Sequence, residues 1–507
     1  MKTTKLLSIL TAIACSCAFS LAATIYATNE YGESGRAPYV DTDEELNNPY
    51  EFRGTYSISG SATETDTVYG INSCGGAGWG FSPVGSADNK VNVYIDECYN
   101  GYGVFIGVGN TTPETLGREG QLYMGTLSVK TTNNAGRWER GIMLSHSALS
   151  VLSVDNFVMQ GNPTTVPNAL NPARMNGIEI QRYFSIGTLN IGSATISSNE
   201  NAISSFIHLG TTTGSIGTLT GNLYVSSLRA NQGEITETSS YSHASAAGIM
   251  GQGSVSSGLG GLKIERFEAN MVVSAPNGIA LGIQSDDTTY GTALNMANGG
   301  SIKVQGKDAD HSYLYHARFG TARINGDNTL SVLWGNILAK SGIEIGAGTY
   351  EFGQAEADWG LSFTCTDSSA AINFNTGAKA KFANDTFFSH ATTVADGASI
   401  TLSIDSLENY TELWGTSLTL EEGSTVIVIL GNEFNPLEGD SITLLSFESL
   451  DDNSSVKLFR ENGSSYAGQF SFENGTLTFI PESAASTALL GICALFFVAI
   501  RRFRQQA

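Results

Sequence analysis

The residues best suited to chemistry in this chain are acids and imidazoles in short clusters. Asp286-Asp287 offers two adjacent carboxylates. The segment Lys307-Asp308-Ala309-Asp310-His311, extended to His316, offers oxygen and imidazole ligands of the kind that hold a divalent cation. Glycoside cleavage needs two facing carboxylates, and lyases need cation-binding acids with an Arg or Lys base. The second segment has no counterpart elsewhere and no cysteine partner, and no H-E-x-x-H pattern occurs. His146, His208, His243 and His390 are scattered and build no Ser/His/Asp order. The Gly-rich run Cys74-Gly75-Gly76-Ala77-Gly78-Trp79-Gly80 lacks the Lys-Ser/Thr of a phosphate loop. We read the acid and imidazole segment as a polar loop between strands and the Gly-rich run as a loop, and assign no catalytic residue, cofactor-binding residue or metal ligand. Glu179 and Glu344 alternate with apolar neighbours and are expected to face solvent on a strand.

The elements that would position such residues are short and repetitive. Gly103-Val104-Phe105-Ile106, Gly141-Ile142-Met143-Leu144, Gly177-Ile178-Glu179-Ile180, Gly248-Ile249-Met250, Gly278-Ile279-Ala280-Leu281 and Gly342-Ile343-Glu344-Ile345 carry one phrase. Their intervals are 38, 36, 71, 30 and 64 residues, so the long ones are near twice the short ones. Phe206-Ile207-His208-Leu209 fills the first long gap. A second phrase reads Met124-Gly125-Thr126-Leu127, Ile186-Gly187-Thr188-Leu189 and Ile216-Gly217-Thr218-Leu219, with a looser copy at Gly260 to Ile264. Asn199, Asn231 and Asn270 follow as turn residues. Strands this short cannot bury a face alone but can when stacked as coils, and recurring Asn can hydrogen-bond from coil to coil. The expected class is all-β, a right-handed parallel β-helix or solenoid, with coils of roughly 30–37 residues over 101–350. Ile142, Leu144, Ile178, Ile180, Leu189, Ile191, Leu219 and Ile279 are expected to point inward. The rival, a chain of antiparallel sandwiches, would show hairpin dipeptides throughout; Asn462-Gly463 and Asn474-Gly475 lie only near the end.

Composition narrows the function. Charged residues are 15% of the 507 and the formal net charge is −22. That balance excludes phosphate-backbone binding, which needs clustered Lys and Arg, and argues against docking on anionic lipid through the body. Abundant Gly with 24 Phe and 19 Tyr suits many short strands with a buried core rather than disorder. Cys74, Cys98 and Cys365 remain once the terminal segments are set aside; Cys74–Cys98 could bridge in an oxidising compartment, or all could be buried thiols.

The two ends carry targeting signals. Met1-Lys2-Thr3-Thr4-Lys5, the apolar run Leu6 to Ala14 and the small residues up to Ala22 form a secretory signal, cut after Ala22 or Ala23. A rival is lipidation at Cys15. At the other end Pro481-Glu482 precedes an uncharged run, 483–500, long enough to span a bilayer as a single transmembrane helix, and then Arg501-Arg502-Phe503-Arg504. This tail resembles the PEP-CTERM sorting signal, which implies an exosortase-type processing enzyme as partner beside the export machinery. The resemblance covers residues 481–507 and departs at Ser483, where the motif has a second Pro; an unprocessed tail anchor is the alternative. Pro481, Glu482, Arg501, Arg502 and Arg504 are the sorting residues it implies. From about residue 346 the phrases Gly377-Ala378-Lys379-Ala380, Gly397-Ala398-Ser399-Ile400 and Gly423-Ser424-Thr425-Val426, with Gly439-Asp440-Ser441-Ile442, give a texture similar to autotransporter passenger repeats, without the terminal barrel of that family.

The expected organisation is therefore a signal peptide at 1–22, a leader or cap at 23–100, β-helix repeats at 101–350, C-terminal β repeats at 351–480 and a sorting tail at 481–507. The expected function is an exported structural or adhesive protein of the cell surface or extracellular polysaccharide matrix. A β-helix polysaccharide lyase or hydrolase and a non-catalytic glycan-binding protein are the alternatives.

Overall fold

The computed structural model describes residues 24–36, 51–59, 66–75, 83–96, 101–108, 120–131, 138–145, 147–162, 173–181, 184–210, 214–230, 244–251, 262–285, 293–354 and 359–480. The signal segment, the tail with its five sorting residues, Asp286-Asp287, His146, His243, Asn231 and the Cys74–Cys98 pairing lie outside them. The described residues are all-β, with one 3₁₀ turn at Ala309–His311. Among them no helix is long and apolar enough to cross a membrane. The chain divides into two compact units, residues 1–295 with 300–320, and residues 296–299 with 321–507.

The first unit is a parallel β-helix. Strand Phe184–Ser198 lies between Ser147–Gly161 and Gly214–Ser227, parallel to both. Leu152, Leu189 and Leu219 share one inward column, and Thr188 faces Thr218 one 30-residue coil later. Parallel pairing already runs through Thr24–Tyr26 and Thr67–Gly75, within the span expected to be a leader, and on to Gly101–Val108. All eight inward candidates are fully buried, but Ile279 packs with Ala247, Met250 and Leu281 in a cluster apart from the Ile178 column. The phrases align less evenly. Ile142, Ile178, Ile207, Ile249, Ile283 and Tyr315 form one column, so the Phe206 phrase does fill its gap. Gly282-Ile283, not Gly278-Ile279, is the next copy. Likewise Met124 pairs with Val154, which shifts that second phrase by five residues from the Leu189 column. The looser Gly260 copy is displaced too, since Ile264 pairs with Ile216.

The glycine of the first phrase has a steric cause. A Cβ on Gly141 would sit 2.4 Å from the Phe157 ring and 2.7 Å from the Gly177 carbonyl of the next coil. On Gly177 it would meet Ile196 at 2.2 Å. The backbone approaches its neighbour so closely here that only hydrogen fits. The expected Asn stacking exists on a strand column. Asn270 Nδ2 donates to Asn222 Oδ1 at 3.3 Å and Ser301 Oγ donates to Asn270 Oδ1 at 2.9 Å.

The second unit coils more tightly. Gly377, Gly397 and Gly423 all have positive φ, and their backbones bond in series: Gly377 N–H to the Gly397 carbonyl, Gly397 N–H to that of Gly423. Lys379 faces Ser399 and Ser399 faces Thr425, so the 20- and 26-residue intervals are coil lengths. Its core is aromatic: Phe352, Phe363, Phe374, Phe382 and Phe388 interlock with ring centroids 5.2–6.4 Å apart, in the stacked and edge-on geometries that π quadrupoles favour. The Gly439 phrase is not a fourth coil. Ser441–Thr443 leaves the parallel ladder and pairs antiparallel with Thr476–Ile480, which forms a hairpin with Gln469–Glu473. Asn474 and Gly475, both at positive φ, make the two-residue turn expected of an Asn-Gly dipeptide.

Candidate functional site

The acid and histidine cluster does not converge. Asp308 and His311 touch within the 3₁₀ turn, while His316 is buried on the following strand, Ser312–Ala317. Among the described residues no three acids, histidines or cysteines group to hold a metal. His390 meets its neighbour Ser389, with Nδ1 and Oγ 2.7 Å apart.

The register instead assembles polar residues that the linear sequence keeps apart. Strands Ala173–Ile180 and Ala202–Leu209 are buried on both faces. Glu179 is 2% exposed, so the expectation that it faces solvent is wrong: the outward side of its strand is covered too. Arg140 Nε donates to Glu179 Oε2 at 2.7 Å, Asn176 Nδ2 to the same oxygen at 2.9 Å, and Gln181 Nε2 to Oε1 at 2.8 Å. Arg140 also donates to the Tyr102 hydroxyl at 2.9 Å and lies over that ring, 4.8 Å from its centroid. Tyr102 continues a stack through Tyr69 to Tyr26. Ser205 Oγ donates to Asn176 Oδ1 at 2.8 Å. Burial by itself pushes the Glu179 carboxyl up, but Arg140's charge leads the opposing effects and holds it below the ordinary range. His208 faces Glu179 in register. Burial drives its imidazole down to about 4 against the pull of Glu179, with Arg174 and Arg140 adding to the depression. Met250 and Gln284 continue this column to His316, likewise held at about 4 by burial and then by Arg318. His208, one of the scattered histidines, therefore shares a column with His316 of the acid and histidine segment, three coils apart.

The second unit carries an open groove of about 770 Å³. Phe387 and Trp414 occupy successive outward rungs, followed by Ser446. The two rings are half-buried with centroids 6.0 Å apart. Asp385, Glu412, Glu448, Ser446 and Thr416 give the lining its polar side chains, and Gly415 and Phe447 complete it. The Glu412 backbone N–H donates to Asp385 Oδ1 at 2.8 Å, which fixes both acids at the start of their strands. The Glu412 carboxyl is raised by burial and then by the charge of Asp385, against a hydrogen bond from Ser446. Sequence reasoning singled out none of these residues. The available signal was the common Xaa-Leu/Thr-aromatic pattern of Asp385-Thr386-Phe387 and Glu412-Leu413-Trp414, 27 residues apart. Glu344, by contrast, lies on a half-exposed rung, where Arg323 Nε donates to it at 2.8 Å.

No family model matches this chain, and no curated protein matches it.

Proposed function

We propose that this chain is an exported structural or adhesive surface protein, a right-handed β-helix carried outward by its N-terminal signal and sorted by its PEP-CTERM-like tail. The observation that carries the reading is how the buried polar groups are used. Glu179, which faces the buried His208, already accepts three hydrogen bonds, and its arginine is bonded to a stacked tyrosine. Such a network holds coils together. Parallel strands with unbroken inward columns provide a stiff scaffold, and the right-handed coil is the one parallel crossovers prefer. Pro481, Glu482, Arg501, Arg502 and Arg504 act in sorting: the arginines stop transfer and the Pro-Glu junction presents the tail to a processing enzyme.

Protease treatment of spheroplasts tests the export. Residues 100–450 are expected to be digested from outside, and protection by an intact inner membrane would reject the reading. Mass spectrometry of the mature protein from its native host tests the processing. Loss of residues after the Pro481-Glu482 junction is expected; a dominant form ending at Ala507 would leave a plain tail anchor.

A further inference from the structure

We propose that the groove over Phe387 and Trp414 is a binding site for a saccharide chain without acidic groups. The proposal gives the adhesive reading a ligand and deepens it.

Outward positions on a parallel coil stack lie one above another, so Phe387 and Trp414 form a continuous apolar strip rather than isolated side chains. Both stay half-buried and both line the groove. Inward packing does not explain this, because the neighbouring Thr386, Phe388 and Leu413 already fill the core side. A half-buried aromatic strip lining an open groove, with polar groups at its edge, is the usual composition of a ligand cleft, and about 770 Å³ is within the usual size. The chemistry of the edge then selects the ligand. Asp385, Glu412, Glu448 and Ser446 supply oxygen acceptors, and no Lys or Arg lines the groove. The ligand must therefore bring the hydrogen-bond donors and an apolar face, and it must not bring negative charge. A pyranose does this: its C–H face packs on a π face, while equatorial hydroxyls or an amino group reach the carboxylates. Uronic acid or sulfated chains are repelled by three carboxylates on a protein of net charge −22. The nearby charge of Asp385 works against ionisation of Glu412, and a ligand donor between the two side chains relieves that repulsion.

The test uses the full-length purified chain and three probes: cellohexaose, a chitosan hexamer and hexagalacturonate. Tryptophan fluorescence is the readout, because Trp414 lines the groove. Cellohexaose and the chitosan hexamer are expected to titrate the signal, with the chitosan binding weakened by salt, and hexagalacturonate is expected to leave it unchanged. Calorimetry of Trp414→Ala should show affinity reduced at least tenfold. The double change Asp385→Asn and Glu448→Gln, both at exposed positions, should reduce binding severalfold and act most on the chitosan hexamer. If Trp414→Ala proves unfolded by circular dichroism, the double variant decides alone. Absence of binding by both cellohexaose and chitosan, equal binding of hexagalacturonate, or binding untouched by the double variant would overturn the proposal. These measurements on purified protein do not depend on where the cell places the chain, so failure of the site and failure of the export reading are separate results.

Discussion

The same four-residue phrase occurs once in each unit with opposite outcomes. Gly177-Ile178-Glu179-Ile180 and Gly342-Ile343-Glu344-Ile345 both place Glu on the outward side of a strand, and both glutamates accept from the Nε of an arginine in an adjacent coil, at 2.7 and 2.8 Å. In the first unit the arginine and glutamate side chains are 10% and 2% exposed; in the second they are 37% and 38% exposed. Alternation decides which way a side chain points, but not what lies beyond it. A local phrase therefore specifies the inner half of a β-helix rung and leaves the outer half to the rest of the coil.

The largest effect should not distinguish the units. Ile178 and Ile343 are both fully buried on the inner side. Replacing either by Asp removes core volume and buries a carboxyl without a partner, which should cost roughly 5 kcal/mol or more in each case. Hydrogen exchange followed region by region reads both units in one sample. If Ile178→Asp were tolerated, its inward register would be wrong.

The outer half should separate the units sharply. Changing Glu179 to Ala leaves the buried Arg140 without its carboxylate and should destabilise the first unit by roughly 3–5 kcal/mol. Even Glu179→Gln should be costly, because a neutral amide replaces an acceptor of three hydrogen bonds with one that needs acceptors of its own. A near-zero change for both variants in denaturant unfolding would show that the network contributes nothing to stability.

Acid should weaken the first unit before the second. The folded pKa values of His208 and His316, about 4, lie below the ordinary 6.5. Between those values the unfolded chain binds protons that the folded chain does not, so stability falls as pH drops from 6.5 to 4. The loss approaches on the order of 3 kcal/mol per histidine. Glu179 adds to it at lower pH, since its folded pKa is depressed and its contribution disappears as the carboxyl protonates. Glu412 in the second unit is shifted the other way and loses stability as pH rises through its folded pKa. Hydrogen exchange at pH 7 and pH 4.5 should show residues 138–317 opening preferentially. His208→Gln and His316→Gln together should flatten that dependence.

The inner face was legible because it repeats. Ile178, Ile207 and Leu189 announce themselves by period-two alternation and by spacing, and the 20- and 26-residue intervals after Gly377 equal coil lengths. Errors came where insertions shift the register by a few residues, as at Gly278, and where the chain leaves the ladder, as at Gly439. The groove was not legible. Phe387 and Trp414 lie 27 residues apart, and only parallel pairing makes them neighbours. The buried network was partly within reach, since aligning Phe206-Ile207-His208-Leu209 with Gly177-Ile178-Glu179-Ile180 already sets His208 beside Glu179. What hid its meaning was the assumption that an outward residue is a wet one.

The smallest effect gives the finest test of that point. Arg323 and Glu344 have the geometry of the buried pair without its burial. Their attraction acts in a high effective dielectric, and ordering two long side chains offsets much of it. Glu344→Gln should therefore change the stability of the second unit by less than about 1 kcal/mol, with the effect shrinking further as salt is raised and the Debye length falls. A double-mutant cycle with Arg323→Gln isolates the pair from the loss of each side chain's own packing. Run in parallel on Arg140 and Glu179, it compares one interaction type at nearly equal distance in two environments. Coupling should be small and salt-sensitive at Arg323–Glu344, and several times larger and nearly salt-independent at Arg140–Glu179. Equal coupling energies would mean that burial of the outer rung does not set the strength of these contacts, and the contrast between the two units would reduce to geometry alone.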